Sequence, residues 1–202
     1  MSAARKAGAA GAAGAAGAAV LRDLHAVDHA VYAAVATTAT PALDSMLRRL
    51  SRAADHSKIS LGIAAALAVF PGRPRRAACT GMAAVAVASA STNLFAKKLV
   101  RRRRPDREAA GVPPARHVPT PASASFPSGH TASAVAFALG AGAVLPAAAG
   151  PLWILASAVA YSRIHTGVHY PGDVTAGAAL GVASAVTALA AGEVRRVAAP
   201  GG

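Results

Sequence analysis

Residues 77–96 read AACTGMAAVAVASASTNLFA, a run of 20 residues without a single charged side chain. A helix of about 20 mostly apolar residues is long enough to cross the hydrocarbon core of a bilayer. The run therefore predicts a membrane helix, and the segments on either side can be compared with it.

Four further segments are apolar and almost free of charge. They cover residues 57–70, 128–145, 151–162 and 171–191, and the last of them carries one charge, at Asp173. Two of the four are short for a full crossing, so tilt or local thinning of the bilayer would have to accommodate them. Together with residues 77–96 they predict an all-α membrane bundle of about five apolar helices.

The N-terminal part of the chain has a different pattern. Residues 1–19 form a Gly-Ala repeat whose glycines make a stable helix costly, so we expect a disordered tail there rather than a signal peptide. Residues 20–36 carry apolar side chains at helical spacing, interrupted by charges, which predicts an amphipathic helix at the membrane surface or against the bundle. Pro41 ends that segment, and a second helix with one polar face is expected at about 42–54.

Length and composition limit the possible functions of the chain. Its 202 residues fit one domain, expected at 20–195 with a C-terminal tail at 196–202. The net charge of +13 suits nucleic acid, anionic lipid headgroups or phosphorylated substrates. Because aromatic residues make up only 4% and are not interleaved with the basic ones, we expect no nucleic-acid partner. Cys79 is the only cysteine and no Cys/His cluster has metal-ligand spacing, so we expect no disulfide, metal or cofactor.

Three polar clusters interrupt the apolar pattern. Residues 97–105 read KKLVRRRRP, residues 126–131 read FPSGHT, and residues 162–173 read SRIHTGVHYPGD. If each of the five apolar segments crosses the membrane once, all three clusters lie on the same membrane face. This placement predicts a single site built from all three.

The clusters contain the groups that bind a phosphate. Phosphoryl transfer needs dense positive charge and hydrogen-bond donors around the phosphate oxygens. Lys97, Arg104 and Arg163 could supply the charge. A helix that begins after residue 127 would present free backbone N–H groups to an anion, with Gly129 allowing close approach and the Ser128 hydroxyl beside it.

Two histidines and an aspartate could carry out the chemistry. Histidine can act as a nucleophile or as an acid and base near neutral pH, which makes His130 and His169 candidates. Asp173 follows His169 by four residues at the entry to a helix. Its carboxylate could accept a hydrogen bond from one ring nitrogen and leave the other free to attack. A role as a helix N-cap is the alternative for Asp173, and the two are compatible.

The combined spacing resembles the three-part signature of the type 2 phosphatidic acid phosphatase superfamily: Lys-x6-Arg-Pro, Pro-Ser-Gly-His and Ser-Arg-x5-His-x3-Asp, over about residues 97–173. The resemblance implies a helical core like that of the vanadium haloperoxidases, and a phosphatase that needs no metal. It implies that His169 attacks phosphorus to give a phosphohistidine, that Asp173 orients it, and that His130 protonates the leaving oxygen and then activates water. The implied phosphate-binding residues are Lys97, Arg104, Ser128, Gly129 and Arg163.

Within this superfamily, the chain's size, its alanine content and the sequence RAADHSK at 52–58 resemble the decaprenylphosphoryl-5-phosphoribose phosphatases. This favours a polyprenyl-linked lipid phosphate as the substrate. Undecaprenyl diphosphate, phosphatidic acid and phosphatidylglycerophosphate stay open, because the signature describes the phosphate site and not the lipid tail. A soluble acid phosphatase acting on small phosphate esters is the alternative class.

The remaining basic residues bear on location. Most of the lysines and arginines fall on the face that carries the three clusters, so the positive-inside rule predicts a multi-pass protein of the cell membrane with a cytoplasmic active site. Histidines outside the signature are expected to be structural, although His165 could line the pocket. A solvated or headgroup-binding face is expected for Lys98, Arg101, Arg102 and Arg103.

Overall fold

The computed structural model describes residues 2–198, with side chains described for residues 14–194. Within that range the protein is all-helical, as predicted, with two 3₁₀ turns at Asp55–Ser57 and Pro114–Arg116 and a π-helical turn at Ser91–Ala96. The α-helices are α1 (Ser2–Thr37), α2 (Pro41–Ala53), α3 (Lys58–Ala68), α4 (Arg73–Ala90), α5 (Lys97–Leu99), α6 (Gly129–Val144), α7 (Pro146–His165) and α8 (Pro171–Ala198).

Helix α6 is the centre of the bundle. It packs against α4, α7 and α8, and most of its residues are buried. Part of its contact with α4 and α8 is a buried cluster of alanines, formed by Ala84, Ala88, Ala132, Ala136 and Ala185. Small side chains let helix backbones approach closely, which is how helices associate in membranes.

Two glycines on α8 show how close this approach is. A Cβ at Gly177 would lie 2.5 Å from the carbonyl oxygen of Ser128, and one at Gly181 would lie 2.6 Å from that of Ala132. Because both neighbours are backbone atoms, neither can move aside without shifting α6. The glycines therefore fix α8 directly against the start of α6.

The helices differ in their ability to cross a membrane. Among the described residues, two helices are long and apolar enough by themselves: Arg73–Leu99, with 27 residues, and Pro171–Val194, with 24. Helix α6 is apolar but has 16 residues, and α3 has 11, which is about 16 Å against a hydrocarbon core of about 30 Å. Five crossing helices therefore remain a prediction. Helix α7 is longer than expected because Pro146 begins it, and proline fits the first turn of a helix.

The chain ends also differ from the prediction. Residues 2–19 continue into the predicted amphipathic segment as one helix, α1, where we expected a disordered tail. Alanine, the strongest helix former, outnumbers glycine in the repeat. Pro41 begins α2 rather than only ending the preceding segment. Helix α8 runs to Ala198, past the expected domain end at 195, and the rest of the predicted tail, 199–202, lies outside the described residues, as does Met1.

Arg116 fastens the long basic loop between α5 and α6 to the N-terminal helices. Its side chain is buried, and its guanidinium donates to Asp44 Oδ1 at 2.9 Å, to the Val35 carbonyl at 3.0 Å and to the Thr38 carbonyl at 2.6 Å. These contacts hold the loop over one end of the bundle, which is where the polar clusters lie.

Candidate active site

His169 lies in the turn between α7 and α8, and its side chain is buried. Its Nδ1 is 3.5 Å from Asp173 Oδ2 and 3.5 Å from Ser125 Oγ. Its Nε2 is 3.2 Å from Nη1 of Arg104. One ring nitrogen therefore faces a carboxylate and the other faces a cation.

Asp173 contacts more than the histidine. Its Oδ2 accepts hydrogen bonds from the Tyr170 backbone N–H at 2.9 Å and from the Ser125 hydroxyl. The Tyr170 bond is the reach-back contact of a helix capping box, in which an acid in the first turn bonds the residue before the helix. Asp173 thus serves as a cap of α8 and as the neighbour of His169 at the same time.

Two cationic side chains, Arg104 and Arg163, lie near the His169 ring, and Lys97 lies near Arg104. Arg163 is 1% exposed; its Nη1 donates to Ser51 Oγ at 2.6 Å, while its Nε and Nη2 are buried without a hydrogen-bond partner. Arg104 is held by the Val168 carbonyl at 2.9 Å, and Lys97 Nζ donates to Ser123 Oγ at 3.2 Å. Buried guanidinium donors without an acceptor are rare, so the arrangement is suited to an anion.

The start of α6 supplies backbone donors to the same region. Ser128 is the N-cap, is fully buried, and accepts from the Thr131 hydroxyl at 3.0 Å. Its own N–H donates to the Asp173 carbonyl at 2.9 Å, which joins the second cluster to the third. Gly129 begins the helix, so its N–H and that of His130 are among the donors that a helix leaves free at its N-terminus.

His130 is held from another direction. Its Nε2 is 2.8 Å from Oδ1 of Asp55, which lies in the 3₁₀ turn between α2 and α3. The same carboxylate oxygen is 4.0 Å from Arg163 Nη1. All eight residues singled out in the sequence therefore lie at one end of the bundle, linked through Arg104, Arg163 and the start of α6.

The surroundings of His169 determine its protonation state. Burial lowers its pKa to about 4, because the charged imidazolium loses its hydration. The nearby cations Arg104 and Arg163 act in the same direction, and the hydrogen bond to Asp173 opposes them. The imidazole is neutral at pH 7, which leaves a lone pair on Nε2.

Arg102 is a site residue that the sequence did not reveal. It was expected on a solvated face, yet its guanidinium donates to Asp173 Oδ1 at 3.0 Å and to Asp28 Oδ2 at 2.6 Å and lies 4.2 Å from the centre of the Tyr170 ring. Asp28 also accepts from the Gly172 N–H at 2.6 Å. Lys98, Arg101 and Arg103 are exposed.

Spacing gives no means to single out Arg102 within a run of four arginines. The available signal was Asp28, an acidic residue among the apolar positions of α1, because a carboxylate on such a face needs a cationic partner once it is buried.

His165 does not line the site. It is buried against α2, with Nε2 3.0 Å from Thr40 Oγ1 and 3.2 Å from Asp44 Oδ1. Across the part of the chain whose side chains are described, no group of three or more His, Cys, Asp or Glu residues is arranged to hold a metal ion.

Curated proteins with related sequences carry one name. A decaprenylphosphoryl-5-phosphoribose phosphatase of Mycobacterium tuberculosis is 41% identical over 138 residues, which is 66% of this chain and 72% of that protein. The protein of the same name from Mycolicibacterium smegmatis is 37% identical over 134 residues, 64% of this chain and 68% of that protein.

Two solved structures share the fold. Aquifex aeolicus LpxE superposes with a TM-score of 0.62 at 22% identity, covering 79% of this chain and 92% of that one. A transmembrane PAP2-type phosphatidylglycerolphosphate phosphatase from Bacillus subtilis gives 0.65 at 20% identity, covering 85% and 87%. The model of the PAP2 superfamily matches residues 76–196, a range that contains all three polar clusters. The resemblance noted from the spacing is thereby confirmed, and this chain belongs to the PAP2 superfamily.

Proposed function

We propose that this chain is a membrane phosphatase that removes the terminal phosphate of a polyprenyl-linked phosphoribose, of the kind named for its relatives. The observation that carries the proposal is the position of His169 Nε2, on a buried neutral imidazole whose other nitrogen faces Asp173, beside Arg104 and the two unpartnered donors of Arg163. A nucleophile beside a ring of fixed cations is what phosphoryl transfer requires.

In the first step, His169 Nε2 attacks phosphorus and the bond between phosphorus and the ribose oxygen breaks. Arg104, Arg163 and Lys97 hold the non-bridging oxygens, with the N–H groups at the start of α6, and the Asp173 carboxylate stabilises the positive charge that develops on the ring. His130 acts in its protonated form, which the contact with Asp55 favours, and donates its proton to the departing oxygen, so the sugar leaves as an alcohol.

In the second step, water hydrolyses the phosphohistidine. His130, now neutral, takes a proton from the water, whose oxygen attacks phosphorus as the bond to His169 Nε2 breaks. Inorganic phosphate leaves and both histidines return to their starting state. The chemistry uses one residue as acid and then as base, and its partner Asp55 stays in place through both steps.

The location of the site follows from the distribution of charge. We place the protein in the cell membrane as a multi-pass protein with its active site on the cytoplasmic side. The basic loop between α5 and α6 lies at the same end of the bundle as the site, and loops rich in lysine and arginine favour the cytoplasmic side. An Ala109→Cys variant in a Cys79→Ala background tests this, since both positions are exposed. A membrane-impermeant maleimide should label residue 109 only after intact cells are opened, and labelling from outside would reverse the orientation.

Substrate and nucleophile are tested together in detergent. Phosphate release is measured from a short-chain prenylphosphoryl-5-phosphoribose, undecaprenyl diphosphate, phosphatidic acid, phosphatidylglycerophosphate and a water-soluble aryl phosphate. We expect the first to be turned over fastest. His169→Gln should abolish release and the alkali-stable phosphohistidine, while His25→Gln, an exposed histidine on α1, should change neither.

Each other outcome assigns a different function. Fastest release from another lipid would replace the substrate, and release from the aryl phosphate alone would favour an acid phosphatase. Turnover by His169→Gln near the normal rate would remove the nucleophile from the proposal.

A further inference from the structure

A polar cavity of about 500 Å³, partly open to solvent, lies beside His130. Its walls are the 3₁₀ turn after α2, the π-helical turn after α4, the loop at 119–121 and the start of α6. Most of the side chains that line it can donate or accept hydrogen bonds, and they include Asp55, Ser57, Ser89, Asn93 and Thr120. Its volume is in the range of small-molecule sites.

The position of the cavity relative to the two histidines identifies what it would hold. His130 and Lys97 line it, whereas His169 and Arg104 do not. In phosphoryl transfer the attacking and leaving atoms lie roughly in line on opposite sides of phosphorus. With His169 as the nucleophile and His130 as the acid, the leaving group extends into this cavity.

Two features of the walls indicate that the cavity binds something polar. The Thr92 side chain lines it and is fully buried, and its Oγ1 has no hydrogen-bond partner. Thr92 and Asn93 belong to a π-helical turn, a rare element that occurs often at functional sites. Asn93 uses its amide nitrogen on the Ser89 carbonyl at 3.0 Å, which leaves its side-chain oxygen for a ligand.

The turn that carries Asp55 is strained. His56 and Ser57 both have left-handed backbone conformations, with φ of 56° and 57°. Left-handed conformations are energetically unfavourable for residues other than glycine, and such residues cluster at functional sites. The strained turn aims Asp55 at His130, where Oδ1 makes the 2.8 Å contact while Oδ2 makes no hydrogen bond to any described residue.

A narrow apolar cleft with about 20 Å³ of free space continues from the cavity between α3, α6 and α7. Ile63, Phe137 and Leu152 line it, and it meets the cavity at His130 and Ser133. Moving outward from the phosphate site, the protein therefore presents cations, then hydrogen-bonding side chains, then an apolar surface.

We infer that the polar cavity is the subsite for a hydroxyl-bearing leaving group, a sugar, and that Asp55 determines this specificity by bonding a sugar hydroxyl while it positions His130. The inference rests on the proposed function, because it uses the same phosphate site and the same acid. It adds to that function a place for the sugar of a phosphate–sugar–prenyl substrate, next to the phosphate site.

The test removes hydroxyls from the substrate and their partners from the protein. The substrates are a short-chain prenylphosphoryl-5-phosphoribose and its 2,3-dideoxyribose analogue, and kcat/KM is measured for both with the unsubstituted protein, Asp55→Asn and Asn93→Ala. Asp23→Asn, an exposed acid on α1, is the matched control. The unsubstituted protein and the control should prefer the hydroxylated substrate by about tenfold or more, as expected for hydrogen bonds to a charged group.

In Asp55→Asn and Asn93→Ala this preference should shrink several-fold, whatever happens to the absolute rates. A substitution that only disturbs the fold would lower kcat/KM for both substrates by the same factor. Absence of a preference in the unsubstituted protein, or a preference unchanged in both variants, overturns the inference and leaves the phosphatase assignment intact. Failure to release phosphate from any lipid of the panel overturns the proposed function itself.

Discussion

The Arg102→Met variant tests how the buried carboxylate of Asp173 is held. Arg102 is the cation shared by Asp28 and Asp173, whose side chains are 9% and 0% exposed. Methionine keeps much of the length and apolar contact of the arginine stem and removes the charge. Both carboxylates then lose their cationic partner while staying buried.

The expected loss of stability follows from that burial. Removing one partner of a buried ion pair costs about 3–5 kcal/mol, because a charge is left without compensation. The Arg102 side chain is 16% exposed, so water screens part of the effect and the lower end, about 3 kcal/mol, applies. For a domain of this size, that corresponds to a melting temperature lower by roughly 6–12 °C. We also expect kcat to fall more than KM rises, because in the proposed mechanism Asp173 positions the nucleophile and does not bind the lipid.

Thermal unfolding and phosphate release are measured in the same detergent, with Arg103→Met as the control. Arg103 is the neighbouring arginine, is exposed and makes no ion pair within the described residues. A second variant, Arg102→Met with Asp28→Asn, should recover part of the lost stability by removing one of the two uncompensated charges. Equal melting temperatures for the two single variants, or no recovery in the double one, would refute the ion-pair reasoning.

Three further predictions concern other parts of the site and the bundle. The pKa of His169 is about 4, below the value near 6.5 of a free imidazole, so kcat/KM should decline on the acid side only near pH 4–5. The protein should also become less stable as the pH falls from 6.5 to 4, because the unfolded state takes up the proton and the folded state does not. A decline of kcat/KM centred at pH 6.5 would contradict the effect of burial on this pKa. Gly181→Ala should lower the free energy of unfolding by about 1–3 kcal/mol or more in chemical denaturation, because the added Cβ would meet the Ala132 carbonyl. Gly192→Ala is the control: a Cβ there has nothing within 4 Å, so it should be neutral or stabilising. Equal effects of the two substitutions would count against the close contact of α8 with α6. Orthovanadate should inhibit phosphate release competitively and raise the melting temperature, because it binds the cations around His169. EDTA should change the rate of phosphate release little. Loss of activity with EDTA that added metal restores would contradict the expectation that no metal is needed.

The site could be read from the sequence to the extent that spacing encodes it. Lys97, Arg104, His130, His169 and Asp173 stand at fixed distances within short motifs, and the order of the apolar segments places these motifs on one face. Each motif lies at a helix end, where local geometry decides the direction of a side chain. The three motifs come together at one end of the bundle because successive helices run in opposite directions.

Long-range partners could not be read in this way. Arg102 reaches Asp28 across 74 positions, and His130 reaches Asp55 across 75, and neither pair has a local pattern that connects its members. The error at the N-terminus has another origin. A Gly-Ala repeat lacks an apolar face from which packing could be predicted. Its structure depends on whether the helix propensity of alanine outweighs the unfavourable propensity of glycine, and composition alone does not decide between the two.

The cations of the site are held in place by hydrogen bonds, although some of their donors have no partner. Arg163 is buried with two unpartnered donors, and its nearest carboxylate, that of Asp55, is 4.0 Å away. A protein built only for stability would give such a group an acceptor, because a buried cation without one is costly. Here the cost is retained in the fold, and the backbone carbonyls around Arg104 and the hydroxyl of Ser51 fix the geometry. Charge held in this way needs no reorganisation when a phosphate arrives, which is the condition under which electrostatic stabilisation of a transition state is largest.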